Sequence, residues 1–137
     1  MIKCQKQMMG DSSIANYWKN SATDALDTAD KLFASKKYHH SLFFLHLAVE
    51  KLLKAIYVQR KNEAAPVGHD LIRLAEKAKI ALDEKMMREL AEISTFNVAA
   101  RYDDYKFKFY KKATYEFTLK WQEIGKRLFK QFSLLNP

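Results

Sequence analysis

The chain has 137 residues, a formal net charge of +8, and 48% hydrophobic and 13% aromatic residues. That length and apolar content suit a globular chain that buries a core without disulfides or a metal, and they exclude a disordered one. Three Gly and two Pro are too little turn material for an all-β fold, and no apolar run approaches the roughly 20 residues of a membrane span.

Residues 1–10 read as a flexible tail. They carry lysines but no apolar run of a secretory leader. Cys4 is the only cysteine, so no intrachain disulfide can form, which fits the reducing cytoplasm. Residues 11–137 read as one domain. Asp11-Ser12-Ser13 offers N-caps to a first helix, and Ile14, Trp18, Ala22, Ala25, Ala29 and Leu32 form its apolar stripe to about Ser35. After a break at Lys36-Lys37, a second helix spans about Tyr38 to Lys61. Its first half is apolar almost all round, which predicts a central helix packed on more than one side.

Residues 62–68, with Pro66 and Gly68, read as a loop. A short helix follows over about Asp70–Ile80. Asp83 caps a fourth, about Glu84–Ala99, with Met87, Leu90 and Ile93 inward. Tyr102–Lys112 has no clean periodicity and reads as a loop. Thr114 then caps a last helix to about Phe132, with Phe117, Trp121, Ile124, Leu128 and Phe132 on its apolar face. The expectation is an all-α, five-helix, up-and-down bundle.

Charge is distributed unevenly. Between Arg101 and Lys130 stand nine Lys/Arg (Arg101, Lys106, Lys108, Lys111, Lys112, Lys120, Lys126, Arg127 and Lys130) against four acids (Asp103, Asp104, Glu116 and Glu123), a net of +5. Such an excess suits an anionic partner, RNA or a nucleotide among them, and equally suits a solvated basic face.

Individual residues carry two readings each. Glu50 and Lys54 form an i,i+4 pair in the favourable order, and on a partly exposed edge that contributes a few tenths of a kcal/mol. His46 lies one turn before Glu50, but two ligands on one helix are not a metal site. His39 and His40 are adjacent and should face different directions. His69-Asp70 after the Pro/Gly loop suits either helix capping or a polar site shared with Arg101. Arg101-Tyr102-Asp103-Asp104-Tyr105 can grip a phosphate through the guanidinium, with tyrosines to stack on bases, or can close on itself as a salt bridge. No Walker A loop, GxGxxG, HExxH or nucleophile elbow occurs, so no metal or cofactor is expected.

Taken in order, these segments resemble the HEPN domains, a superfamily of prokaryotic helical domains. The resemblance rests on a first helix built like Trp18–Leu32, on YxxSLFFxHxAxEKLLKA at Tyr38–Ala55 with its His46, Glu50, Lys51 and Lys54, and on the Pro-containing loop. His69-Asp70-Leu71, the Asn97–Asp103 segment with Arg101-Tyr102-Asp103, and an amphipathic last helix complete it, over roughly residues 14–132. It implies a bundle that dimerises and works with a minimal nucleotidyltransferase as toxin and antitoxin. Active members are metal-independent RNases in which an Arg, then four to six residues, then a His meet across the dimer. The arginine holds the phosphate, and the histidine moves protons.

Arg101 matches that arginine. The histidine positions hold Lys106, Phe107 and Lys108, and no histidine follows His69. The resemblance therefore implies a nucleotide- or RNA-binding module, with Arg101, Tyr102, Lys106, Lys108 and His69 at the phosphate. The alternative is an RNase toxin using Arg101 with a substitute proton donor such as His69. A third reading is a bundle that only docks proteins. In some pairs the nucleotidyltransferase adenylylates a tyrosine, for which Tyr102, Tyr105 and Tyr110 are the candidates.

Overall fold

The computed structural model describes residues 2–98 and 102–135, with side chains described from residue 13 onward. Among these residues there are six helices and no strand: α1 (Ile2–Ala34), α2 (Tyr38–Lys61), α3 (Leu71–Lys77), α4 (Glu84–Ser94), α5 (Asp103–Lys112) and α6 (Tyr115–Ser133). α2 is the central helix, with α1, α3, α4, α5 and α6 all packed on it.

The two long helices pair antiparallel. Ser41 meets Ala29, Lys51 meets Ser21 and Lys54 meets Trp18, so α1 recedes as α2 advances. Ala15, Ala22, Ala25 and Ala29 are buried along α1, and Ala48 and Ala55 along α2. Small side chains let the two backbones approach closely. The turn between them is tight because Lys36 takes a left-handed backbone at φ 63°. Lys37 N–H then reaches the Leu32 carbonyl at 2.8 Å and Lys36 N–H the Phe33 carbonyl at 3.0 Å, satisfying the orphan acceptors of the helix end. The same device ends α3, with Lys79 at φ 61° and Ile80 N–H on the Ala75 carbonyl at 3.0 Å. Arg60 reaches over from α2 to the carbonyls of Ala78 and Lys79, at 3.1 and 3.2 Å.

α6 runs parallel to α2, since Gln122 pairs with Ser41 and Gly125 lies on Leu45. The helices α3–α5 carry the chain back to make this possible. A Cβ at Gly125 would stand 2.5–2.8 Å from three side-chain atoms of Leu45, so any larger residue would force Leu45 to shift at this crossing. Ser41 ties three helices: its hydroxyl donates to the Ala29 carbonyl at 2.7 Å and accepts from Gln122 Nε2. Lys126 also reaches Asp30 of α1, at 2.5 Å.

The capping residues read from the sequence take their places. Asp70 accepts from Ile72 and Arg73 N–H, Asp83 from Met86 N–H and Thr114 from Phe117 N–H. Four details differ. α1 is helical back to Ile2, through the segment expected as a tail and past the caps expected at Asp11–Ser13. A helix that already has a nucleus adds residues cheaply, and nothing but Gly10 opposes it there. α3 ends at Lys77 and α4 at Ser94, short of Ile80 and Ala99. On α4 the inward methionine is Met86 rather than Met87, which is 37% exposed.

The fourth difference is the largest. Residues 103–112, expected as a loop, form α5, so the bundle has six helices rather than five. Local terms make this helix: Asp103 and Asp104 in the first turn and Lys111 and Lys112 in the last, each complementing the helix dipole. Its one buried side chain, Phe109, packs on Phe96 at 5.6 Å between ring centroids, and Phe96 also contacts Phe117 and Trp121 of α6.

Candidate functional site

Two polar constellations are built on α2, one at its middle and one at its start. At the middle, Glu50 is buried, with 6% of its side chain exposed. Its Oε2 accepts from Lys54 Nζ at 3.1 Å, and its Oε1 from His69 Nδ1–H at 2.9 Å, with His46 Nε2 at 3.5 Å. Helical spacing stacks His46, Glu50 and Lys54 on one face. His69 arrives from the 62–70 loop, held where Asp70 starts α3. The expectation of a partly exposed Glu50–Lys54 edge pair is therefore corrected. The apolar surround of α2 and the ring of Trp18, 5.4 Å under the Lys54 ammonium, take both charges out of water.

His46 is fully buried. Its Nε2–H donates to the His69 carbonyl at 3.2 Å, while its Nδ1 has no partner. Burial lowers its pKa, and this outweighs the hydrogen bond to the His69 backbone and the attraction of Glu50. The ring is thus neutral near pH 7. Two donors, Lys54 Nζ and His69 Nδ1–H, converge on one buried carboxylate, and with the His46 bond to the His69 carbonyl they clamp the loop to the central helix. The His69 ring itself remains 61% exposed and lines a small cleft of about 120 Å³ with Asp70, Arg73 and Lys77. Lys51 faces the other way, donating to Ser21 Oγ at 2.7 Å.

At the start of α2, the outer face of α5 comes alongside. His39, His40, Phe43, Lys106, Phe109 and Tyr110 line a cleft of about 340 Å³. A second, of about 480 Å³, shares His39, His40 and Tyr110 and adds Lys36, Lys37, Tyr38 and Lys111. The two histidine rings lie 4.0 Å apart, and Tyr110 stands edge-on to His39 at 5.0 Å. Adjacent residues expected to face apart thus share one cleft, because both sit in the first turn of α2, where α5 covers them from the side. Half-burial and the neighbouring His40 lower the pKa of His39.

The other expected residues are dispersed. Arg101, the expected phosphate grip, lies outside the described residues. Tyr102 is 89% exposed ahead of α5, and Lys108 is exposed on it. The Tyr105 hydroxyl donates to the Thr95 carbonyl at 2.9 Å, tying α5 to the end of α4. Of the three tyrosines, Tyr110 lines the cleft. His69 and Lys106 line different clefts. His39, His40, Lys36, Lys37 and Lys111 were not singled out as site residues. The signal available for them is the run Lys36-Lys37-Tyr38-His39-His40, basic residues set just ahead of an apolar helix.

Among the described residues, no group of three or more His, Cys, Asp or Glu is arranged to hold a metal ion, and no helix is long and apolar enough to cross a membrane. The fold and these sites define an all-α bundle with a buried His-Glu-Lys signature on its central helix and a basic, aromatic surface beside it. The family model of the HEPN domain matches residues 15–130, and the chain belongs to that family. No curated protein and no solved structure matches it. Membership places it among domains whose work concerns nucleotides and RNA.

Proposed function

We propose that this chain is a cytoplasmic nucleotide- or RNA-binding module, formed by residues 11–137, that acts as a homodimer with a minimal nucleotidyltransferase. It lacks the complete Arg-x4-6-His nuclease pattern. One observation carries the reading: α5 and its cap residue present Lys106, Lys108 and Lys111 together with Tyr102, Phe107 and Tyr110, the last three exposed by 89, 60 and 60%, while Lys112 is tied to Glu92. Cations paired with solvent-facing rings are what a single strand needs, phosphates on the one and bases on the other. Arg101 precedes this face directly in the chain and supplies a bidentate phosphate donor. A lysine at position 106 holds phosphate charge but is a poor proton shuttle near pH 7, which favours binding over cleavage.

The test is an assay of purified wild type and Arg101→Ala with labelled single-stranded RNA in EDTA, followed for both binding and cleavage. Binding without cleavage, weakened in Arg101→Ala, is the expected result. Cleavage that depends on Arg101 would replace this reading with that of a metal-independent RNase. No binding of RNA or nucleotide by wild type would leave a protein-docking bundle.

A further inference from the structure

Among the described residues, the cleft at the start of α2 gathers cationic and aromatic side chains without a structural task. The Glu50 cluster is closed on itself and clamps a loop. The buried Ser41–Gln122 bridge and the Arg127–Glu89 ion pair hold helices together. The cleft, by contrast, is open, and among the described residues no carboxylate lines either of its two parts.

We propose that this cleft binds a nucleoside phosphate, with His39, His40 and Lys106 at the phosphate and Phe43 and Phe109 against the base. The proposal rests on the nucleotide and RNA reading above, shares Lys106, Tyr110 and Lys111 with it, and adds His39, His40, Phe43 and Phe109 as the walls of the site. Volumes of about 340 and 480 Å³ lie within the range of about 300–1,000 Å³ that small-molecule sites occupy. The apolar wall and cationic rim match the two halves of a nucleotide. Lys36, Lys37 and Lys111 stand around the mouth, so the field inside is positive before any ligand enters.

His39 makes the site sensitive to pH. The charged and titratable groups facing it and His40 are Lys36, Lys37 and Tyr38 beside them on the turn and the first turn of α2, and Lys106, Tyr110 and Lys111 from α5. These are cations and phenols, with no acid among them. Burial, and after it the neighbouring His40, lower the pKa of His39 and favour the neutral ring in the free protein, and an arriving phosphate opposes both. Affinity therefore rises as pH falls and His39 takes up its proton beside the phosphate.

The test measures binding of AMP by calorimetry and of a 5′-labelled single-stranded RNA by fluorescence anisotropy. The proteins are wild type, His40→Asn, Lys106→Gln, the double variant His39→Asn/His40→Asn, Arg101→Ala, and the α6 control Lys120→Gln. His40 and Lys106 are exposed, and retained melting temperature verifies that their variants fold. We expect affinity to fall about tenfold in each of His40→Asn and Lys106→Gln, the loss of one charge-assisted contact, and little in Lys120→Gln. Lys106→Gln should also flatten the salt dependence of RNA binding by about 0.7 in log–log slope. The rise at low pH should vanish in the double histidine variant.

AMP competing with RNA identifies a free nucleotide as ligand, and RNA binding indifferent to AMP identifies a phosphate within a strand. Either outcome supports the site. Cleft variants that bind like wild type, while Arg101→Ala does not bind, would overturn the site and leave the proposed function standing. Wild type that binds neither probe overturns both.

Discussion

Removing the carboxylate of Glu50 should be among the most damaging single changes available. Glu50→Ala deletes the acceptor of Lys54 Nζ, 3.1 Å away, and of His69 Nδ1, 2.9 Å away. Lys54 then holds an ammonium whose side chain is 10% exposed, with the Trp18 ring as its remaining counterpart. Breaking a buried pair by deleting one member costs about 3–5 kcal/mol, because the other charge stays out of water. The Trp18 contact places the loss near the lower end, about 3 kcal/mol. For a domain of this size that is about 12 °C in melting temperature. Replacing both charges, as Glu50→Leu/Lys54→Met, removes the stranded ammonium and should return to within about 1 kcal/mol of wild type. Urea unfolding followed by circular dichroism at neutral pH measures all three proteins. A loss below about 1 kcal/mol in Glu50→Ala, or a double variant no better than the single, would refute the argument. The pair would then contribute only the few tenths of a kcal/mol of an exposed helix pair.

Gly125→Ala should destabilise by about 1–3 kcal/mol through the clash with Leu45, the opposite sign to an exposed helical glycine, where alanine gains about 1 kcal/mol. Combining it with Leu45→Ala should recover part of the loss, a coupling that a double-mutant cycle reads directly. Lys79→Gly should raise stability by about 1 kcal/mol, since a left-handed backbone strains any residue with a Cβ; thermal melts check it. Burial lowers the pKa of His46, so the unfolded chain binds that proton more readily than the folded one. Its contribution to stability is complete above the ordinary value of 6.5 and is lost as pH falls below it. Melts across that range should show the decline in wild type and a shallower one in His46→Gln.

Helix α2 was legible from the sequence to both its ends because periodicity, length and a flanking Pro/Gly loop agree. Asp70, Asp83 and Thr114 were legible as caps because capping is a matter of neighbours within three residues. The misses share a cause as well. α5 buries one side chain, so it has no stripe to read, and its stability comes from charges at its ends and from Phe96 elsewhere in the chain. Gln122 meets Ser41 across 81 positions of sequence and Gly125 meets Leu45 across a similar span, and nothing local marks them. The motif His46, Glu50, Lys54 and His69 could be read as a set, but whether it was buried could not, since that depends on Trp18 and on the loop folding back. The site at the start of α2 was missed because two adjacent histidines on a helix point apart by geometry, and a third element, α5, makes them neighbours of one cavity.

The lysine that turns the chain between α1 and α2 sets two properties against each other. Lys36 occupies a backbone conformation that glycine takes without penalty, and its side chain stands at the mouth of the cationic cleft. Glycine at this position would relax the turn and at the same time withdraw a positive charge from the cavity. One substitution thus moves thermal endurance and anion affinity in opposite directions. A chain selected only for durability would abandon this lysine, and a chain selected for its ligand would tolerate the strain.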